Sequence, residues 1–179
     1  MQAELVPEPW NAFFEDLDAQ LTEQISLCCI GGFAITIQYG LARQTSDVDV
    51  LHVTPLDQHA AVLALAGEGR PLHRRHRVYL QHVGIVTLPH DYDQRLMELF
   101  PSRYSNIRLL GLDPYDLALS KLERNVQLDR DDVKYLAKAV PLDPATLEHR
   151  YRNEQRPYLA NVERHDLTMM LWLDMLRES

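Results

Sequence analysis

The chain has 179 residues and a formal net charge of −8, with 46% hydrophobic and 25% charged residues. Such a chain suits one soluble globular domain, alone or with a helical extension, that buries its own core without disulfides. The acidic balance argues against a general nucleic-acid binder, whose affinity rests on Lys and Arg, but allows nucleotide binding through a metal ion and local cations.

The first half of the chain alternates between predicted helices and strands. A helix is predicted over 9–24 from apolar residues at helical spacing, and the short apolar segment 25–30, bounded by glycine, suits a buried strand. Further helices are predicted over 31–39, 57–66 and 91–100, and further strands over 47–53, 77–88 and 107–112. This order indicates a mixed α/β core up to about residue 112.

The strand predicted over 25–30 contains both cysteines, Cys28 and Cys29. Adjacent cysteines do not form an ordinary disulfide with each other, and the spacing is not that of a CxxC zinc site. We expect both to be buried core residues of a protein in a reducing, cytoplasmic setting. The N-terminal segment lacks the regions of a signal peptide, and no apolar run has the length of a membrane span.

The second half of the chain has the pattern of a helical bundle. Asp113-Pro114 places a capping residue before a proline at the first helical position. Helices are predicted over 113–125, 131–140, 141–155 and 161–176. The chain is thus predicted to contain an α/β core over 1–112 and a helical portion over 113–179 that packs on the core as one structural unit.

Two aspartates one residue apart, Asp47 and Asp49, begin the strand predicted over 47–53. Residues i and i+2 of a strand point to the same face, with Cα atoms about 6.6 Å apart, so both carboxylates can bind one cation. Mg²⁺ prefers such oxygen ligands and offsets the repulsion between the two charges. Val48 and Val50 indicate a mostly buried strand, where unpartnered carboxylates are costly. The alternative is two exposed aspartates at the start of a strand.

A glycine pair, Gly31-Gly32, opens the helix predicted over 31–39. Glycines between a strand and a helix let backbone N–H groups approach a phosphate at the helix N-terminus, although such a pair can also be only a tight turn. The segment matches neither GxGxxG nor a P-loop. Arg43 and Thr45 precede the first aspartate, and Arg43 is either a bidentate phosphate clamp or a solvated loop cation.

Lys121 lies in the helix predicted over 113–125 and shares a face with Arg124. Leucine neighbours indicate that this face is partly buried, so the lysine requires an anion. Asp129 and Asp132 lie near the start of the next predicted helix, where carboxylates cap the helix and interact favourably with its dipole. Substrate contact and simple capping with surface charge both fit this pattern.

A basic cluster over Arg70–Arg77 contains four arginines and two histidines. In an acidic chain it is a local positive patch that could bind nucleotide or nucleic-acid phosphate. A solvated hairpin or a contact to an acidic surface are the alternatives. A nucleic-acid-binding protein that uses this cluster is a third hypothesis for the function of the chain; it predicts strongly salt-dependent binding, and the acidic net charge makes it the least favoured of the three.

The order of these motifs resembles a known group of enzymes. Gly-Gly-x-Ala at 31–34 is followed by Arg-x-Thr-x-Asp-x-Asp at 43–49, Ser-Lys-Leu at 120–122 and Asp-x-x-Asp-Val-x-x-Leu at 129–136. Over residues 25–140 the chain resembles the minimal nucleotidyltransferases of the polymerase-β superfamily. It is more closely similar to the bacterial group related to AbiEii-type toxins and to the nucleotidyltransferase-like family DUF6036. The resemblance implies a mixed sheet flanked by helices, a helical C-terminal portion, and NTP and Mg²⁺ as ligands.

The motifs and the resemblance together assign roles to individual residues. The predicted catalytic residues are Asp47, Asp49, Lys121 and Asp132. Asp47 and Asp49 would bind the metal. The predicted substrate-binding residues are Gly31, Gly32, Arg43, Thr45, Arg124 and Asp129. In this assignment Lys121 contacts the nucleotide phosphates, and Asp132, with Asp129 as second choice, orients Lys121 or lies at the acceptor side.

The leading hypothesis is a cytoplasmic, Mg²⁺-dependent nucleotidyltransferase that transfers NMP from an NTP to a hydroxyl on a protein or RNA, within a toxin–antitoxin or phage-defence pair. The alternative is a catalytically silent binding subunit of the same fold that acts through a protein partner. Two departures from the family pattern favour the alternative. Gly32 stands where active members commonly have serine, and the strand segment 78–86 has no third acid. His82, Asp91 and Asp93 are the candidates to replace that acid.

Overall fold

The computed structural model describes residues 5–178, which form two compact units. The first unit contains the described residues up to Gly84 together with Met97–Gly111, and the second contains Ile85–Leu96 and the described residues from Leu112 onward. The first unit is a mixed α/β structure and the second is built from helices. The predicted α/β fold class is confirmed, whereas the packing of the helical portion on the core stays a prediction.

The first unit is organised around a five-stranded mixed sheet. In chain order its elements are α1 (Trp10–Gln20), β1 (Ile25–Cys29), α2 (Gly31–Tyr39), β2 (Asp47–Thr54), a 3₁₀ turn (Leu56–Gln58), α3 (His59–Ala66), α4 (Pro71–His76), β3 (Tyr79–His82), β4 (Met97–Leu99) and β5 (Ile107–Gly111). The strand order is β3-β2-β1-β5-β4. Strand β1 is antiparallel to β2 and parallel to β5, β2 is parallel to β3, and β4 is antiparallel to β5.

The central strand β1 forms the core of this sheet. Leu27, Cys28 and Cys29 are fully buried, as expected for a short apolar strand that is covered on both faces. Both cysteines are free, as predicted, and burial raises the pKa of the Cys28 thiol to about 12. They are therefore neutral packing residues.

Strand β2 contains one extra residue, which decides the face that each of its side chains reaches. Cys28 pairs with His52 and Cys29 pairs with Val50, so Leu51 bulges out of register with β1. Val50 is buried before the bulge and Val53 is buried after it. If β2 alternated strictly through Leu51, with no bulge, Val53 would lie on the face of the two aspartates.

Helix α1 packs against the first turn of α2. The ring of Phe33 lies 5.4 Å from that of Trp10 and 5.9 Å from that of Phe14, centroid to centroid. The buried residues of α1 recur at helical spacing, which confirms the predicted helix, although it ends at Gln20. These aromatic contacts anchor the beginning of α2, the segment that carries the glycine pair.

Three segments of the first half differ from the predicted elements. Within the basic segment 70–77, Pro71–His76 form helix α4, and Pro71 at its first position is the sequence signal for this start. The strand predicted over 77–88 is limited to β3, and the helix predicted over 91–100 is a 3₁₀ turn followed by β4. Strands β3 and β4 are the edges of the sheet, and elements of three or four residues are too short to show an alternation.

The second unit contains α5 (Pro114–Leu119), α6 (Gln127–Ala139), α7 (Pro144–Arg150), a π-helical segment (Tyr151–Gln155), 3₁₀ turns (Tyr92–Arg95 and Arg156–Tyr158) and α8 (Val162–Arg177). Asp113 caps α5, as predicted, by accepting a hydrogen bond of 2.9 Å from the backbone N–H of Asp116. Helix α5 ends at Leu119, so the helix predicted over 113–125 is too long. Among the helices between residues 5 and 178, none combines the length and hydropathy of a membrane crossing.

Candidate functional site

The two predicted metal-binding aspartates lie at the beginning of β2 on one face of the sheet. Val48, which lies between the aspartates, and Val50, which follows them, are buried. Asp47 and Asp49 are half-buried. Both carboxylates therefore point to the face opposite the two valines. Strand alternation alone predicts this arrangement.

The carboxylate of Asp49 lies directly against the glycine that begins α2. A Cβ atom on Gly31 would lie 2.2 Å from Oδ2 of Asp49, which is closer than real Cβ contacts come. Gly31 also has φ +73°, a conformation that disfavours any side chain. The backbone N–H of Ile30 donates a hydrogen bond of 2.9 Å to the carbonyl oxygen of Asp49, which holds β2 beside the beginning of α2. Glycine at position 31 is thus required by space and by conformation.

The second glycine of the pair lies against Arg43. A Cβ on Gly32 would lie 2.4 Å from Nη2 of Arg43. The carbonyl of Arg43 accepts a hydrogen bond of 3.3 Å from the hydroxyl of Thr36 in α2. The guanidinium group therefore occupies the position where a side chain at 32 would begin.

Thr45 is bound to the first aspartate of the pair. Its hydroxyl donates a short hydrogen bond to Oδ1 of Asp47. With Asp49 against Gly31 and Arg43 against Gly32, the structure brings together the six candidate residues of the first unit. Asp49 and Arg43 lie against the first turn of α2, where the partial positive charge of the helix is concentrated.

The edge strand β3 contributes residues beside the aspartates that the sequence did not identify. Tyr79 is the register partner of Asp47, and Gln81 is that of Asp49. Burial and the carboxylates of Asp47, Glu68 and Asp49 raise the pKa of the Tyr79 hydroxyl. The parallel register between β2 and β3 is a tertiary property, so only the place of Tyr79 in a predicted strand hinted at this position.

The three candidates for a third acid fall in different units. His82 is the register partner of Val50, and its exposed ring packs against that of His59, with centroids 4.5 Å apart. Asp91 and Asp93 belong to the second unit. Within residues 5–178, no group of three or more His, Cys, Asp or Glu side chains has metal-binding geometry.

The remaining predicted residues form a separate ion-pair cluster within the second unit. Lys121 follows the end of α5 in a turn, where it is almost fully buried. Its Nζ lies 2.8 Å from Oδ2 of Asp132 and 3.5 Å from Oδ1 of Asp129. The predicted orientation of Lys121 by Asp132 corresponds to a direct contact, and its role toward nucleotide phosphates stays a prediction.

Asp129 combines the capping and the charge-pairing roles. It accepts a bidentate pair of hydrogen bonds from Arg124, at 2.8 and 2.6 Å, and one of 3.1 Å from the backbone N–H of Val126 at the start of α6. Burial alone would raise the pKa of this carboxyl, but Arg124 and the charge of Lys121 hold it below its ordinary value. A buried carboxylate is stable here because it is fully paired.

Comparison with known proteins yields one family. The model of a family described as a nucleotidyltransferase of unknown function (DUF6036) matches residues 11–178. No curated protein and no solved structure matches the chain. The match confirms the predicted resemblance to DUF6036, whereas the closer relationship to AbiEii-type toxins stays a prediction.

We expect Gly31→Ala to destabilise the protein more than Gly69→Ala. The two glycines have nearly the same φ, +73° and +72°, but a Cβ at position 69 would meet no atom within 4 Å. Each change costs about 1–2 kcal/mol for the left-handed conformation, and the clash with Asp49 adds about 1–3 kcal/mol at position 31. Urea denaturation of the two variants measures the difference.

Asp49→Ala in the Gly31→Ala background should recover part of the stability that the clash removes, because the clashing carboxylate oxygen is gone. Equal losses in Gly31→Ala and Gly69→Ala would contradict the close approach of Asp49 to Gly31.

The stability contributed by Asp129 should depend on pH. Because the pKa is lower in the folded state, the ionised carboxylate stabilises the protein above the unfolded pKa of about 4, and this contribution is lost as the pH falls through the lower pKa of the folded state. At pH 7 we expect Asp129→Asn to lower the free energy of unfolding by about 3 kcal/mol. The difference in unfolding free energy from wild type should narrow below about pH 5.

Urea denaturation followed by the fluorescence of Trp172, in a Trp10→Phe background, measures this for the second unit. The control is Asp131→Asn, which removes an exposed carboxylate of the same helix. A gap between wild type and Asp129→Asn that stays constant with pH would rule out the ionised pair as its source.

Proposed function

The chain belongs to DUF6036, a family of nucleotidyltransferases of unknown function, and we propose that it is a Mg²⁺-dependent enzyme that transfers NMP from an NTP to a hydroxyl on a protein or RNA. The observation that carries the proposal is the contact between Asp49 and Gly31. This contact supports the proposal because Asp49, which shares a strand face with Asp47, lies beside the N-terminal end of a helix, so a cation held by the two carboxylates would be next to a phosphate bound there.

The donor groups of this site fit magnesium. Asp47 and Asp49 offer only carboxylate oxygens, and Mg²⁺ in nucleotide sites is commonly held by one or two carboxylates together with substrate phosphates and water. When bound, the ion would neutralise phosphate charge and polarise the α-phosphoryl oxygen. The hydrogen bond from Thr45 orients the carboxylate of Asp47 without using all of its lone pairs.

The triphosphate would be held at the first turn of α2. Gly31 and Gly32 have no side chains to block an approach to the backbone there, and the helix dipole favours an anion. Arg43 supplies the cationic fork at this place. Its contact with Gly32 gives a physical reason for glycine where active members commonly have serine: the guanidinium stands in the space of the serine side chain.

The proposed reaction is an in-line displacement at the α-phosphorus. The acceptor hydroxyl oxygen forms a bond to that phosphorus while the bond to the bridging oxygen of the β-phosphate breaks. Pyrophosphate leaves with the electron pair, and the hydroxyl proton passes to solvent. Arg43 and the N-terminal end of α2 would stabilise the charge on the phosphoryl oxygens.

We place this activity in the cytoplasm and in a toxin–antitoxin or phage-defence pair, in which a cognate partner protein controls the transferase. The resemblance to AbiEii-type toxins motivates this part of the proposal. A gene for such a partner beside the gene of this chain would support it.

A second candidate function is a catalytically silent binding subunit of the same fold. It is favoured by β3, which sets Tyr79 and Gln81 beside the two aspartates where an active member could have an acid. Such a subunit would act through a protein partner. Calorimetry with Mg²⁺ and each of the four NTPs separates the two functions, because a subunit with no nucleotide site would release no heat.

Removal of either aspartate should abolish transfer. We expect Asp47→Asn and Asp49→Asn each to lower the labelling of RNA or protein acceptors from labelled NTP by at least about a hundredfold, because the charge on phosphorus is no longer offset. Both variants should also lose the Mg²⁺ dependence of NTP binding. The control is Asp57→Asn, which removes an exposed carboxylate of the same unit. Equal labelling by wild type and both aspartate variants would refute the catalytic proposal.

Arg43 and a serine at position 32 should be mutually exclusive. Gly32→Ser displaces the guanidinium and should weaken Mg²⁺–NTP binding about tenfold or more, as should Arg43→Ala, since a charge-assisted hydrogen bond contributes about 1.5–3 kcal/mol. In the Arg43→Ala background, Gly32→Ser should cause no further loss and should restore part of the affinity through its hydroxyl. Titration calorimetry measures the Mg²⁺–NTP affinity of wild type, the two single variants and the double variant. Additive losses would mean that the two positions act independently.

A further inference from the structure

Helix α4 is attached to the edge of the sheet at the aspartate pair. Tyr79, which follows α4, is the register partner of Asp47, and its backbone N–H donates a hydrogen bond of 2.9 Å to the carbonyl of Ser46. The ring of His73 in α4 packs against the ring of Tyr79, with centroids 4.6 Å apart. The basic cluster of the sequence therefore lies next to the proposed transfer site.

One side of α4 is used for packing. Leu72 is buried, and His76 and Arg75 approach Oδ2 of Asp16 in α1 at 2.6 and 3.0 Å. These two of the six basic residues therefore contact an acidic residue within the first unit. These contacts fix the rotation of α4 about its axis.

The other side of α4 carries three exposed arginines. Arg74 lies in α4, whereas Arg70 and Arg77 are the residues that cap its two ends. Backbone hydrogen bonds from Arg74 to Arg70 and from Arg77 to His73 continue the helical turn at both ends, so the three arginines, four and three residues apart, follow one side over about 10 Å. Their guanidinium groups have no hydrogen bond or ion pair with any residue in the described range 5–178. They form what we call the arginine stripe.

We infer that the arginine stripe, His73 and Tyr79 bind the single-stranded end of a nucleic acid as the acceptor of the transfer. The stripe would bind backbone phosphates through bidentate hydrogen bonds, and the two rings would stack on an unpaired base beside the aspartates. This inference rests on the proposed function, because it identifies the acceptor in the same reaction.

A polynucleotide fits this surface better than an acidic protein. A protein acceptor would use the positive charge but not the two half-exposed rings next to it, whereas a single strand uses both. The negative charge of Glu68 acts on Tyr79 and disfavours phosphate there, so we expect the backbone phosphates at the arginine stripe. The overall charge of −8 confines such binding to this local patch.

The test is fluorescence anisotropy with labelled single-stranded RNA and DNA 12-mers, the same RNA as a blunt duplex, and a poly-glutamate peptide of equal charge. Binding is measured without NTP or Mg²⁺ between 50 and 200 mM NaCl. For three phosphate contacts, the slope of log affinity against log salt should be about −2. Wild type should bind the single strands at least tenfold tighter than the duplex or the peptide.

Matched variants locate the binding surface. The triple variant Arg70→Gln/Arg74→Gln/Arg77→Gln should lose at least tenfold in affinity and most of the salt slope. The control triple Arg152→Gln/Arg164→Gln/Arg177→Gln makes the same charge change in the second unit and should bind like wild type. Tyr79→Ala should weaken binding about tenfold, whereas Tyr79→Phe, which keeps the stacking face, should retain it.

Each outcome decides the inference. Equal effects of the two triple variants, or tighter binding of poly-glutamate than of the single strands, would overturn it, and the latter would indicate a protein acceptor. A preference for RNA over DNA, or the reverse, identifies the strand.

Mg²⁺–NTP calorimetry on wild type separates this inference from the proposed function. NTP binding without strand binding would overturn only the acceptor surface. Strand binding without NTP binding would overturn the transferase proposal and, with it, the assignment of the strand as an acceptor.

Discussion

The arrangement of the first unit depends on one close approach, that of the Asp49 carboxylate to the Cα atom of Gly31. At this contact β2 packs against the beginning of α2, and only glycine fits there. The backbone N–H of Ile30 also donates a hydrogen bond to the carbonyl of Asp49. A half-buried carboxylate is costly unless positive charge is near, and the helix terminus supplies such charge. The backbone at Ile30 and Gly31 is therefore fixed directly beside the carboxylate of Asp49.

The charges of this acidic protein fall into two classes. In the second unit Lys121 and Arg124 are paired with Asp132 and Asp129, so these charges stabilise the local structure. In the first unit the arginine stripe is exposed and lies beside the aspartates. Net charge alone hides this difference, because it counts paired and exposed cations alike.

Strong local patterns made several elements predictable. Apolar composition predicted strand β1, glycine placement predicted helix α2, and strand alternation predicted the shared face of Asp47 and Asp49. Helix α4 and the edge strand β4 were missed because they are short, and β3 covers only part of the strand predicted over 77–88. The end of α5 before Lys121 was missed because the polar residues that follow are compatible with either a helix or a turn.

The sequence by itself determined the chemistry available to this protein: a glycine pair, two aspartates on one strand face, and a basic cluster in an acidic chain. Only the tertiary structure decided which of these groups meet. The parallel register of β3 set Tyr79 beside Asp47, and the loop before β2 brought Arg43 onto Gly32. The physical reason is that alternation and helical periodicity act over a few neighbouring residues, whereas strand register and side-chain contact depend on packing between segments far apart in the chain.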